Sequence, residues 1–206
     1  MSEEQQLVKA VKQPIVAGER GVNLASMEDM YRFAVAMVNS GTFKDLPSPE
    51  VALMKLQAGA ELGLTPVWSL TNIFVVNGKP TVYGDALIGI VRGHKDCLDV
   101  IETYEGTGDD MVCTCEVRRR DCVPTVRKFS VADAKRAGLW GKSGPWTMYS
   151  TRMLQMRARS FALRDAFADA LRGIQCREEV QDVPKQAQVR EIASVGLKFA
   201  DETEAK

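Results

Sequence analysis

A single histidine, His94, stands among 206 residues. Hydrolytic triads and histidine-based metal sites both lean on imidazole, so a triad cannot be assembled convincingly and tetrahedral zinc is poorly supported. The five cysteines, Cys97, Cys113, Cys115, Cys122 and Cys176, are odd in number and irregular in spacing. That argues against a disulfide framework, and they are read as reduced thiols. Cys113-x-Cys115 with Cys122 has no second C-x-x-C beside it, and alternation along a strand makes Cys113 and Cys115 ordinary inward residues, so no metal is assigned. No run of 18 uncharged apolar residues occurs, and the polar opening MSEEQQLVKAVKQP is unlike a secretory signal, so neither a membrane span nor export is expected. A cytoplasmic location is the expectation. The phosphate loop G-x-x-x-x-G-K-[ST] is missing as well, so no ATP-driven step is expected.

What is present is enough apolar material, 45% of residues, for one compact domain. The net charge of zero conceals an uneven arrangement. Residues 1 to 116 hold 9 Lys+Arg against 16 Asp+Glu, residues 117 to 172 hold 13 against 4, and residues 173 to 206 hold 5 against 7. The basic charge therefore sits in one block, the pattern of a surface that faces a polyanion or of a basic face paired with the acidic remainder.

Local signals divide the chain. Residues 1–25 lack periodicity and read as a mobile N-terminal arm. Ser26-Met27-Glu28-Asp29 is a capping-box pattern opening a helix that stops at Ser40-Gly41. Ser48-Pro49-Glu50 supplies an N-cap, a first-turn proline and an acidic residue for a second helix over Val51 to Leu62. Asn77-Gly78 sits between two β-rich runs and predicts a hairpin within Asn72 to Asp85, because both central residues of a type I′ turn need positive φ. Ala86 to Arg92 reads as a short helix. Leu98–Tyr104, Met111–Arg119 and Val123–Phe129 have the spacing of an antiparallel meander. Ser130-Val131-Ala132-Asp133 repeats the capping pattern. The longest helical segment follows Gly144-Pro145-Trp146, and residues 177–206 form a charged C-terminal tail.

That longest segment, GPWTMYSTRMLQMRARSFALRDAFADALRG, carries five arginines. On a helical wheel Met153, Met156, Ser160, Leu163, Phe167 and Leu171 form one apolar stripe, and Leu154, Ala158 and Phe161 a narrower one nearly opposite. Arg152 and Arg159 leave along one flank, Arg157 and Arg164 along the other. The expectation is a helix wedged between two apolar layers, its guanidinium rows free to grip phosphate or to pair with Asp165, Asp169 and acidic residues of the N-terminal half. Arg118 to Arg120 and Arg127-Lys128 lie across a tight turn, so alternate members share one sheet face.

Gly63-Leu64-Thr65-Pro66, then Gly78-Lys79 with Asp85-Ala86 beyond it, and later Gly144-Pro145-Trp146 followed by the arginine-rich helix to Asp169, occur in an order that resembles the RecT/Red-beta family of phage single-strand annealing proteins. The likeness spans roughly residues 50 to 176, and Ala168 stands where the family often has proline. The resemblance implies ATP-independent binding of single-stranded DNA and annealing of complementary strands into duplex, in a bacterial host. It also implies ring or helical homo-oligomers, with a phage exonuclease or a host single-strand binding protein as partner. Met27, Met30, Met37, Met54 and the Asn77-Gly78 hairpin are the candidate protomer contacts.

The expected architecture is α+β: a small antiparallel sheet with a β-hairpin arm packed against several helices, one long and basic, with the annealing core at residues 26–176. Candidate DNA-binding residues are Lys79, Arg119, Arg127, Lys128, Lys135, Trp146, Arg152, Arg157, Arg159 and Arg164, with Tyr149 and Tyr83 as further stacking platforms. No catalytic residue and no required cofactor is assigned, although Asp165 and Asp169 are a carboxylate pair able to hold Mg2+. Two other readings stay open: a phage interaction or structural protein whose basic block docks an acidic partner, and a metal-dependent nuclease using Asp85, Asp165 and Asp169.

Overall fold

The computed structural model describes residues 16–18 and 21–182. Within the segment expected as an arm, β1 (Val16–Gly18) pairs antiparallel with β2 (Gly21–Asn23). Helix α1 (Met27–Asn39) starts where the capping pattern places it, the Ser26 hydroxyl accepting from the Asp29 N–H. Helix α2 (Pro49–Glu61) is capped in the same way by Ser48, with Pro49 opening its first turn. Thr65 and Pro66 follow shortly after that helix ends. They start a third one, α3 (Pro66–Asn72), with proline again in the first turn. Ala34, Leu46, Ala52, Leu56 and Leu70 close a small core among these three helices.

Strands β3 (Ile73–Val76) and β4 (Lys79–Val82) form the expected hairpin, and Asn77 and Gly78 take φ of 52° and 74°, as a type I′ turn demands. The hairpin is an integral sheet element rather than a free arm. β4 pairs in parallel with β8 (Gln175–Cys176), and Ile73, Thr81 and Val82 are buried. Helix α4 (Gly84–Arg92) leads into the meander of β5 (Cys97–Glu105), β6 (Val112–Arg119) and β7 (Thr125–Ser130), with β6 at its centre. Ser130 and Asp133 close a full capping box on α5 (Val131–Arg136).

The long periodic segment folds as three pieces: α6 (Pro145–Met148), α7 (Ser150–Ala166) and α8 (Ala168–Leu171). The breaks fall at Tyr149 and Phe167, both with φ near −135° (−137° and −130°) and ψ near +45°. Ala168 is thereby the first residue of α8, a helical position that accepts proline. Both apolar stripes of α7 are buried: Met153, Met156 and Leu163 on one side, Leu154 and Ala158 on the other. The helix is packed between the inner face of the meander and α4, so the wedge expected from its periodicity is present.

The packed body continues past residue 176. Arg177–Asp182, the first six residues of the segment set apart as a tail, form α9, whose Val180 is buried. Residues 183–206 lie outside the described residues. The architecture is α+β, with small sheets against several helices.

Candidate nucleic-acid interface

The two arginine rows of α7 leave along the flanks where periodicity places them, and both end on carboxylates. On one flank Arg159 donates from Nε and Nη2 to the two oxygens of Glu102, at 2.8 and 2.7 Å, and from Nη1 to Asp85 at 2.6 Å. Only 5% of its side chain is exposed. Burial works against its charge, but the hydrogen bonds and charges of Glu102 and Asp85 outweigh burial and hold its pKa above the usual guanidinium value. Arg152, on the same flank and exposed, shares Asp85 and also donates to Gln155. Asp85 is partly desolvated, which works against its charge, yet the two arginines keep its carboxyl below the ordinary range.

On the other flank Arg157 and Arg164 meet α9. Arg157 donates to Asp182 at 2.6 Å and Arg164 to Glu179 at 2.8 Å. Trp146 Nε1 and Lys142 Nζ complete the ring around Asp182, at 2.8 and 2.9 Å. Burial raises the Asp182 pKa, but these three donors together hold it below the usual carboxylate value.

These contacts draw three of the expected site residues inside the fold. Trp146 is 2% exposed and lies in the main core beside Phe129, so it is no stacking platform. Arg157 and Arg159 are buried in ion pairs, which withholds them from a strand passing over this surface. The reason is the wedge itself: both apolar faces of α7 are covered, and residues on its edges are drawn under the neighbouring elements. Tyr149, at the break between α6 and α7, is 65% exposed beside exposed Met148. Tyr83 is more constrained, its ring packed edge-on to Phe74 and its hydroxyl held by Arg177.

On the meander Arg119 and Arg127 do share a face, the inner one, since Cys115 is the partner of Arg127 and both follow the parity of buried Cys113 and Val117. There Arg119 forms a fork to Asp169 at 2.7 and 2.6 Å and stacks over Phe167, and Arg127 meets Asp165 at 2.6 Å. The outer face mixes Lys128 and Arg118 with Glu116 and Asp99, and is not a continuous basic track. Lys135 reaches Asp109 at 2.6 Å. Among the described residues Lys44, Lys79, Arg92, Lys95, Lys128 and Arg172 are exposed and hold no carboxylate, and Arg92 donates instead to the Val100 carbonyl. Lys79 and Arg172 border one cleft of about 260 Å³. A neighbouring cleft of about 540 Å³, lined by Glu61, Gly93, Asp169 and Arg172, takes the carboxyl ends of α2 and α4 and so offers phosphate a poorer seat.

Asp85, Asp165 and Asp169 each carry an arginine, so the carboxylates a nuclease would need are engaged. Asp165 and Asp169 also stand on different helices, separated by the break at Phe167. Among the described residues no group of three or more His, Cys, Asp or Glu is placed to hold a metal ion. Cys113 and Cys115 are inward on β6, and burial pushes their thiols up to about 11 and about 12.

Sequence reasoning missed Lys142, Glu102 and the acidic residues of α9. No local signal marks them, because each owes its place to an element distant in the chain. Comparison of the chain with protein-family models and with curated proteins finds no match.

Proposed function

We propose that the chain binds single-stranded DNA without sequence preference and anneals complementary strands without ATP, as in phage-type homologous recombination. The carrying observation is that the two segments whose order resembles single-strand annealing proteins meet as one unit. Asp85, which follows the hairpin in the first, takes Arg152 and Arg159 of α7 in the second. Exposed cations surround that unit. Lys79 and Lys128 are unpaired among the described residues, and Arg127, Lys135 and Arg152 hold exposed carboxylates. Exposed pairs of this kind contribute about 0–1 kcal/mol, so a strand phosphate displaces the carboxylate at little cost. Phosphate contacts carry no base information, and Tyr149 offers any base the same ring face. A complementary strand then tests pairing against bases left outward, and oligomers supply the continuous template.

The test is annealing of labelled complementary oligonucleotides without ATP, in Mg2+ and in chelator. The expected result is faster annealing with intact DNA in both, and a plot of log K against log salt sloping near −3.5, from about five neutralised phosphates at about −0.7 each. Degradation that stops with chelator would assign a nuclease instead. Absence of any shift at low salt would leave the docking of an acidic partner, and a strictly monomeric mass with and without DNA would rule out the annealing step.

A further inference from the structure

Helix α9 carries three carboxylates in six residues, and every one ends on a donor of the core. Glu178 accepts from the Gly84 backbone N–H at 3.3 Å, Glu179 from Arg164, and Asp182 from Lys142, Trp146 Nε1 and Arg157. Two cations and an indole N–H converging on one carboxylate make a donor set suited to an oxyanion. The carboxylate does not use all that surrounds it. Asp182 takes Arg157 through Nη2 alone, and the buried Arg157 Nε has no hydrogen-bond partner among the described residues. One turn further along α7, the hydroxyl of Ser160 is buried and equally unpartnered, as is Oε1 of Glu179. Buried polar groups are normally satisfied, so the orphaned Nε of Arg157, a donor more than nine-tenths buried, needs a cause. A phosphodiester supplies it: its oxygens reach both edges of a guanidinium fork, where one carboxylate oxygen reaches a single edge.

Resting on the reading of the chain as a single-strand binder, we propose that Lys142, Trp146 and Arg157 form an oxyanion site for a strand phosphodiester, with Arg164 at its border. Arg177–Asp182 is an acidic strap that occupies this site in the free protein. A strand seated there displaces Asp182 and then Glu179, so the strap sets a threshold for DNA binding and covers Arg157, whose burial otherwise removes it from the interface, and the partly exposed Arg164. The strap is six residues long and buries one apolar side chain, Val180, so it is held chiefly by the carboxylate contacts that a phosphodiester would replace.

The experiment is hydrogen exchange of the α9 amides in the full chain, alone, with oligo-dT and with millimolar inorganic phosphate. It is paired with dT affinity of Glu179→Gln/Asp182→Asn and of a control, Glu28→Gln/Glu50→Gln, which removes the same charge elsewhere. Faster exchange of α9 on dT, and dT binding about tenfold tighter in the strap variant, are expected, within the 5- to 150-fold range of coupled sites. The control should move affinity less than twofold. Unchanged or slower exchange in the natural chain overturns the strap whatever the variants do, as does equal tightening in strap variant and control. Opening by inorganic phosphate but not by dT overturns the assignment to a strand. A chain that fails to bind dT at low salt sinks the single-strand reading and this site with it, whereas binding with α9 still protected removes the strap alone.

Discussion

Removal of the Arg159 guanidinium separates a structural arginine from a phosphate-binding one. Arg159→Ala strips Glu102 of both its guanidinium bonds and leaves it one donor, the Gln155 side-chain amide at 3.0 Å. The Glu102 side chain is only 13% exposed, so its charge is left in a site that water reaches poorly. Breaking a buried pair from one side costs about 3–5 kcal/mol. In a chain of this size each kcal/mol moves Tm by about 2–4 °C, so a fall of roughly 6–20 °C is expected by circular dichroism. Asp85 adds little to that figure, because it is well exposed and keeps Arg152. The double variant Arg159→Met/Glu102→Leu removes both charges and fills the space, and should recover most of the loss, since apolar replacement of a buried pair is often neutral. The salt slope of DNA binding by folded Arg159→Ala should match that of the natural chain. A Tm within about 2 °C together with a slope reduced by about 0.7 would refute this assignment and return Arg159 to the phosphates.

Gly59→Ala places a methyl 1.8 Å from Ser69 Oγ and 2.4 Å from its Cβ, an overpacking that should cost about 1–3 kcal/mol and that Ser69→Gly in combination should relieve, read by thermal unfolding. Native thiol labelling should modify exposed Cys122 first and partly buried Cys97 more slowly, with Cys113, Cys115 and Cys176 reacting only on unfolding; fast reaction of Cys115 would contradict its burial and its thiol pKa of about 12. The hydrogen bond from Arg119 holds the Asp169 carboxyl at about 2, so its stabilisation is full above the ordinary carboxylate range near 4 and is lost as pH falls toward 2. Asp169 is 58% exposed and its pair is screened, so Asp169→Asn should flatten the acid limb of Tm against pH while moving Tm at pH 7 by less than about 2 °C.

The elements legible in the sequence are those whose cause is local. Ser26, Ser48 and Ser130 cap their own helices, and Asn77-Gly78 sets its own turn, so each could be placed from a few adjacent residues. Elements made by distant partners were not. Strand β8 is two residues long and exists only as the parallel neighbour of β4, and the integration of the hairpin into a sheet depends on it. The breaks at Tyr149 and Phe167 interrupt an apolar rhythm that continues through them, and periodicity alone reads straight across.

The same distinction governs the site. A wheel gives each arginine of α7 a direction, and the directions agree with the structure, but a direction carries no partner. Glu102 lies 57 residues from Arg159, and Asp85 lies 67 from Arg152. A block with 13 basic residues against 4 acidic ones therefore looks unbalanced along the chain while much of it is balanced in space. What decides the role of each cation is how much water reaches its pair. Where water enters freely, as at Arg127 and Asp165, the pair contributes little and the arginine stays available to another anion. Where water is excluded, as at Arg159 and Glu102, charge separation costs more than a single phosphate contact returns, and the arginine belongs to the fold. Arg157 stands between these limits, its charge buried but covered by a six-residue helix, so its access to a strand depends on whether that helix moves.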